Sequence, residues 1–327
     1  MPASPPTPPA IASGRSSTTK RRTFLVGLGV SMLGGPLPAR PPAIMEDGRW
    51  SMSEFAVQVL LETPTVTVRD VCCRGSLRSP GAEESATATQ LVFPYRGAYV
   101  RHLGRDEAVA EANQVLFFNA GEGYRVAHPV PGGDSSLAVI VGEPQLRELA
   151  PRGFLRDRAP VAFRQQRLRI DARAQALMAI LRHSLREGIA EPLEAESLAL
   201  TLVQRALGRR TTHPAGATVG RQRLVDRAKL VLAGDLARRW TLAEIAAEVR
   251  CSPVYLTQVF QQVEGLPLYR YQLRLRLARA LDLLAEYPDL TSLGLDLGFS
   301  SHSHFSAAFR AAYGRSPSQF RHAALRR

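Results

Sequence analysis

Val254, Thr257, Gln258 and Gln261 fall at i, i+3, i+4 and i+7, the spacing of one helical face. A glutamine amide can pair bidentately with adenine, and apolar atoms can meet the thymine methyl. The chemistry open to this set is therefore the reading of base edges in a major groove. A second set, His302, Ser303, Ser306, Ala307 and Arg310, would share another such face. Any one of these residues is an ordinary solvated side chain. Two matched faces in one chain are what point to a nucleic acid.

The elements that would position them repeat as well. Leu256, Val259, Phe260 and Val263 line the opposite face of the first helix, and Phe305, Ala308, Phe309 and Ala312 that of the second. A short amphipathic segment precedes each, Leu242–Val249 and Leu290–Leu297, with Leu242, Ile245, Ala246 and Val249 matching Leu290, Leu293, Gly294 and Leu297. Thr241 with Glu244 reads as a capping box. Ser252 before Pro253, and Ser300 or Ser301, supply the second caps. Gly265 and Gly314 close the units, where positive φ can end a helix. Two short helices around a tight turn predict a helix-turn-helix, here twice. An intervening helix over Leu268–Ala285 would span roughly 27 Å, with Leu273, Leu277, Ala280, Leu281 and Leu284 as its apolar stripe. Arg270, Arg274, Arg276 and Arg279 decorate it, and with Arg310 they are the candidate phosphate contacts, adding salt-dependent affinity without sequence information. Arg221–Ala237 is expected to form a helix that covers the first unit.

Charge agrees with an anionic partner. The chain has 327 residues and a formal net charge of +13. Residues 220–327 hold 16 Lys/Arg against 9 Asp/Glu. No apolar run approaches the roughly 20 residues of a membrane helix. Cys72, Cys73 and Cys251 make neither a disulfide framework nor a zinc set. Cys72 and Cys73 are adjacent and on a strand would point to opposite faces. A reducing, cytoplasmic setting fits this usage.

Residues 1–50 read as a disordered tail rich in Pro, Ser, Ala and Gly. Within it Thr19-Lys20-Arg21-Arg22-Thr23-Phe24-Leu25, followed by a short apolar run, resembles a twin-arginine export signal. The preferred reading is upstream sequence taken in by too early a start, with Met45 or Met52 as the beginning. A translated but inert tail and an exported segment are the alternatives.

From 51 to 150 short β segments alternate with Gly and Pro turns, over 55–61, 65–68, 91–93, 98–102, 115–118 and 137–141. This predicts a sandwich or small barrel able to hold one small ligand. Its polar candidates are His102, Glu122, Tyr124 and His128. With no His-x-His pair, no metal, cofactor or catalytic residue is assigned, and the effector-binding residues are unknown. Phe93, Tyr95, Phe117 and Phe118 read as core. Residues 151–210 form a helical connector: a short helix over 143–150 leads in, a last strand lies within 163–170, Asp171 caps one helix and Pro192 opens another. Its surplus apolar surface would cover the barrel or a second copy of the chain. Residues 211–220 have linker composition, and the DNA-reading domain would occupy 221–325.

Several segments carry a family likeness. They are Ser252-Pro253-x-x-Leu256-x-x-x-Phe260, Gly265-x-Pro267, Arg276-Leu277-Ala278-Arg279-Ala280, Leu297-Gly298-Phe299-x-Ser301-x-Ser303-His304-Phe305-x-x-x-Phe309 and Gly314-x-Ser316-Pro317-x-x-Phe320-Arg321. They resemble the AraC/XylS transcription regulators. That resemblance implies two helix-turn-helix units joined by a long helix, and control of promoters, activation included, with double-stranded promoter DNA and RNA polymerase as partners. It also implies an N-terminal cupin-like effector domain, which Tyr99–His102 and Asn113–Glu122 resemble more weakly. The fold class expected is thus α+β multidomain: a cupin-like β-barrel, a helical connector and an all-α domain with two helix-turn-helix units. Gly294 stands where alanine is usual, an expected loss of up to about 1 kcal/mol of helix propensity. Ala307 stands where some members have a long polar reader, so the second unit would specify less. The function expected is a non-enzymatic, effector-responsive regulator. A cupin-type enzyme with a DNA domain, and constitutive DNA binding by a barrel that only dimerises, are the competing readings.

Overall fold

The structure, a computed structural model, describes residues 55–75, 77–157, 160–208 and 218–324. The readings of the tail, and of linker residues 211–217, lie outside them. The N-terminal part holds β1 (Phe55–Glu62), β2 (Val66–Cys73), β3 (Glu84–Ser85), β4 (Gln90–Arg96), β5 (Tyr99–Leu103), β6 (Asp106–Ala110), β7 (Gln114–Phe118), β8 (Gly123–Ala127) and β9 (Asp134–Val141). Then come α1 (Glu143–Leu149), β10 (Leu155–Arg156), β11 (Ala162–Phe163), β12 (Arg167–Arg169), α2 (Ala172–Arg186) and α3 (Pro192–Leu207). The last part is helical: α4 (Val219–Gly234), α5 (Leu242–Glu248), α6 (Pro253–Glu264), α7 (Leu268–Leu283), α8 (Leu290–Asp296), α9 (His302–Tyr313) and α10 (Pro317–Ala324).

Two antiparallel sheets carry the first part, ordered β1-β2-β9-β4-β7-β12 and β3-β8-β5-β6. Val92, Leu116, Phe118 and Ala138 of the larger sheet meet Tyr99, Ala110, Tyr124 and Val126 of the smaller in one core. The larger sheet's other face packs Leu91, Phe93, Val115, Phe117 and Val139 on Met178, Leu181, Ala199, Leu202 and Val203 of α2 and α3. A sheet covered on both faces needs apolar residues at successive positions. This is why Leu91-Val92-Phe93 and Val115-Leu116-Phe117-Phe118 are uninterrupted runs, and why all four aromatic candidates prove to be core. The polar strands β6 and β8 were not expected, because half-exposed Asp-Glu and Gly-x-Arg segments give no apolar run. The strand expected within 163–170 is broken between β11 and β12.

The helical part has two cores. Leu224, Val225 and Ala228 of α4 pack with Ile245 and Ala246 of α5, Leu256, Val259, Phe260 and Val263 of α6, and Leu268, Tyr271 and Leu275 of α7. The far end of α7 gives Leu277, Ala280 and Leu281 to a second core with Leu290, Leu293, Phe305, Phe309 and Phe320. Thr218 caps α4 through Arg221 N, so residues 218–220, expected to close a linker, open a helix instead.

Candidate nucleic-acid interface

Each helix pair is fixed locally by its caps. The Thr241 side chain accepts from Glu244 N, while Glu244 accepts from Thr241 N at 2.7 Å. These hydrogen bonds, with help from Arg238, draw the Glu244 carboxyl down to about 2. Asp289 does the corresponding task for α8, accepting from Ser292 N at 2.7 Å and Ser292 Oγ at 2.8 Å. Ser252 caps α6 through Tyr255 N, and Ser301, not Ser300, caps α9 through His304 N. Gly265 and Gly314 end these helices at φ 70° and 77°.

The caps orient the outward faces. On α6, Val254, Thr257, Gln258 and Gln261 are exposed, Val254 by 68%. Thr257 Oγ1 donates to Pro253 O at 3.0 Å, which leaves its methyl as the group to meet a partner. Tyr255, 45% exposed beside them, escaped the sequence reading because it lies one position off the face. On α9, His302, Ser303, Ala307 and Arg310 are exposed and Ser306 is half-buried. His302 Nε2 and Ser306 Oγ lie 3.2 Å apart and engage each other.

The arginines divide. Arg270 and Arg274 are exposed, Arg270 against Tyr269. Arg276 is not a phosphate contact: it is 9% exposed and its guanidinium is spent on backbone. It donates through Nε to Leu236 O (2.7 Å), through Nη2 to Ala237 O (3.2 Å) and Arg238 O (2.9 Å), and through Nη1 to Gly298 O (2.9 Å). Leu236–Arg238 lead into the first pair and Gly298 is the turn of the second, so one side chain of α7 fastens both. Gly298 has φ 82°, and a Cβ there would lie 2.2 Å from Ala237 O. Arg279 also turns inward, paired with Asp282. Burial, with Arg96 and Arg182 nearby, lowers its guanidinium to about 10. Arg182 bridges Asp282 (2.8 Å) and Asp70 (3.5 Å), tying α7 to β2.

A second buried polar cluster joins the sheets to the first pair. Arg167 of β12 makes a bidentate pair with Asp226 of α4, at 3.1 and 2.9 Å. Lys229, fully buried, meets Glu264 of α6 at 2.6 Å. Burial opposes the Glu264 charge, but the Lys229 ammonium outweighs it and holds the carboxyl below its ordinary range. Glu111, at the β6–β7 turn, accepts from Asn113 N at 2.7 Å, and burial pushes its carboxyl up. Sequence periodicity gave no signal for this cluster, since its members come from separate elements.

The polar candidates of the sheets hold structural posts. His102 lies 3.4 Å from Glu107 across the β5–β6 hairpin. Glu122 accepts from Asn119 (2.8 Å) and Arg156 (3.2 Å), and Tyr124 stands edge-on to Phe118. His128 differs. Its Nδ1 is 2.5 Å from Asp134 Oδ2, and Cys73 is adjacent. Burial disfavours the imidazolium, but Asp134 and Cys73 outweigh that and lift it to about 10.

A helix-turn-helix domain family model matches residues 245–323, which contain both exposed faces. The matched residues form a helix-turn-helix domain of the AraC type. The probable transcriptional regulator LumQ of Photobacterium leiognathi is 27% identical over 231 residues, 67% of this chain and 86% of LumQ. The HTH-type transcriptional activator RhaR of Salmonella schwarzengrund is 31% identical over 103 residues. There the match spans 31% of this chain and 36% of RhaR's length. A solved AraC-type regulator from Chromobacterium violaceum is 30% identical, with a TM-score of 0.31 over 32% of this chain and 95% of that one. No helix among the described residues is long and apolar enough to cross a membrane.

Proposed function

We propose that the α5–α6 and α8–α9 pairs work as two helix-turn-helix units that seat in successive major grooves of promoter DNA. The chain would be a sequence-specific, cytoplasmic transcription regulator and not an enzyme. One observation carries this: two exposed faces stand on helices whose buried faces share α7, and Arg276 pins both connections. α7 has 16 residues, roughly 24 Å of helix, against roughly 34 Å for one turn of DNA. Val254, Thr257, Gln258, Gln261, His302, Ser303, Ser306 and Ala307 would meet bases. Arg270, Arg274 and Arg310 would meet phosphate.

The two-sheet domain is read as cupin-like and as the seat of a small-molecule effector. Support comes from the buried pairs Arg167–Asp226 and Asp70–Arg182–Asp282, which fasten it to α4 and α7, with Lys229–Glu264 carrying the first contact on to α6. An effector with different affinity for two arrangements of these contacts would bias the DNA-reading geometry. RNA polymerase, and a second copy of the chain, complete the partners. For the copy, Leu193 is 77% exposed at the start of α3, and farther along α3 a groove of about 680 Å³ against α2 is lined by Leu177, Ile180 and Thr201.

The test is footprinting and mobility shift on the gene's own upstream DNA at physiological salt. Protection of a discrete site is expected. Equal affinity for promoter and random DNA rejects the reading. A thermal-shift screen of metabolites on the full chain, repeated with the bound promoter, identifies the effector.

A further inference from the structure

Cys73, His128 and Asp134 bring one thiol, one imidazole and one carboxylate together at the rim of the two-sheet domain. Their ligating atoms all lie within 4.8 Å of one another. Cys73 ends β2 and Asp134 begins β9, and the two are direct partners in the antiparallel register. Their side chains therefore share a face. His128 reaches the same point from the segment between β8 and β9. Cys72 faces the other way, 3.8 Å from Tyr95 OH, and takes no part.

The backbone is shaped to allow this convergence. Gly133, at φ 73°, passes so close to β2 that a Cβ would lie 2.2 Å from Cys73 O. Gly97, at φ 66°, would in turn place a Cβ 2.2 Å from Gly133 O. Three chain segments thus crowd together at two glycines, and the crowding sets Asp134 against Cys73.

Two chemistries use these residue types. In a nucleophilic relay the imidazole stands between sulfur and carboxylate, each on its own ring nitrogen. That places sulfur and carboxylate on opposite sides of the ring. Here the sulfur and the carboxylate oxygen are themselves within 4.8 Å, so the three groups converge on a point. Convergence of three ligands with a fourth direction open is the arrangement of an accessible zinc site. Cys73 and His128 are half-buried and Asp134 is buried, so the site lies at the edge of the domain and not in its core. The thiolate selects against Mg²⁺ and Ca²⁺, which take oxygen ligands. The ion would take the place of the proton that His128 shares with Asp134, because a ligating imidazole is neutral, so binding releases protons.

We propose that Cys73, His128 and Asp134 form a binding site for a zinc-class divalent cation, with water or an exogenous ligand in the fourth position. The ion would hold the 128–134 segment, whose Val130 packs with Leu230 and Ala233 of α4. Metal occupancy would thereby brace the sheet domain against the first element of the DNA-reading part. The site stands apart from the DNA-binding reading, because none of its ligands lies on α6 or α9.

The experiment uses the full chain with Cys72→Ser and Cys251→Ser, leaving Cys73 as its one thiol, and titrates in Co²⁺. One equivalent is expected to bind, with a thiolate-to-cobalt charge-transfer band and the visible absorption of a four-coordinate ion. Zn²⁺ should displace it. Cys73→Ser should abolish the band, and His128→Gln and Asp134→Asn should each lower affinity by at least about tenfold. Near-UV circular dichroism checks that each variant is folded; Asp134→Asn, which keeps the side chain's shape, guards against loss of fold in the others. Absence of the band overturns the proposal. So does a band whose affinity is the same in folded His128→Gln and Asp134→Asn proteins, which would mean a thiol binding cobalt alone.

Discussion

The two helix pairs solve one problem with exchanged parts. In the first, the short helix starts with a hydroxyl at the N-cap and an acid three residues on, Thr241 and Glu244. In the second the acid is the N-cap and the hydroxyl follows, Asp289 and Ser292. At the helix crossing the exchange is one of volume. Ala246 and Leu256 fill the first core, whereas Gly294 and Phe305 fill the second. A Cβ on Gly294 would lie 3.0 Å from Phe305 Cβ. The glycine is therefore the space a larger ring requires, and its cost in helix propensity is offset by that packing. The pairs differ most in what they present: two glutamines, a threonine and a valine on α6, against a histidine, two serines, an alanine and an arginine on α9.

Breaking the shared fastening should have the largest effect. Arg276→Ala takes a donor from four carbonyls, of which Arg238 O keeps Gln272 Nε2 and Trp240 N, and should cost about 3 kcal/mol of stability by urea denaturation. Both pairs should loosen together. The salt slope of DNA binding should stay as it was, since no phosphate contact is lost. Arg274→Ala should do the opposite, lowering the magnitude of that slope by about 1 at unchanged stability. A normal urea midpoint for Arg276→Ala would remove the proposed fastening.

Next comes the asymmetry of reading. Gln258→Ala should cost about 1–3 kcal/mol at particular base pairs in a binding-site selection, and Ser303→Ala less at any position. Equal losses on every DNA would show that Gln258 does not read bases.

The exchange of volumes can be tested by a double-mutant cycle. Gly294→Ala gains up to about 1 kcal/mol of propensity but overpacks by about 1–3, a net loss near 1 kcal/mol. Combined with Phe305→Leu, which recreates the first pair's combination, it should cost less than the two changes summed, by about 1 kcal/mol. Strict additivity would deny the match.

The smallest effect is the pH response of the caps. Glu244 is held near 2, below its ordinary 4.5, and Asp289 also lies below its ordinary 3.8. Their contribution is complete above the unfolded values and disappears as pH falls through the folded ones. Protection of the amides at the start of α5, measured against the intrinsic exchange rate at each pH, should fall between about pH 4.5 and 2. Glu244→Gln should flatten that response in α5 and leave the α8 response in place.

The helical part was legible because its signals are local. Thr241, Ser252 and Pro253 declare helix starts, Gly265 and Gly314 declare stops, and a periodic apolar face needs no knowledge of its partner. Arg276 and Arg279 misled for the same reason. Along the chain they are surface-like arginines on a helix, and only the fold brings Leu236–Arg238, Gly298 and Asp282 to them. Gly294 read as a weakness until Phe305 was placed across from it. Cys73, His128 and Asp134 are far enough apart in sequence that no spacing announces them; strand register alone makes Cys73 and Asp134 neighbours. The helices covering the larger sheet's second face were legible through Asp171 and Pro192, with the sheet as one of two surfaces they could cover; the double covering itself was not read from the unbroken apolar runs.

Because α7 gives opposite sides to the two cores and Arg276 ties both turns, the pair of readers behaves as a caliper with a locked jaw. A target with one base pair inserted between its two contacted elements turns the far element by roughly 34°, and to follow it the pairs would have to break the Arg276 hydrogen bonds that tie both turns. Its operators should therefore tolerate changes in letters far better than changes in length.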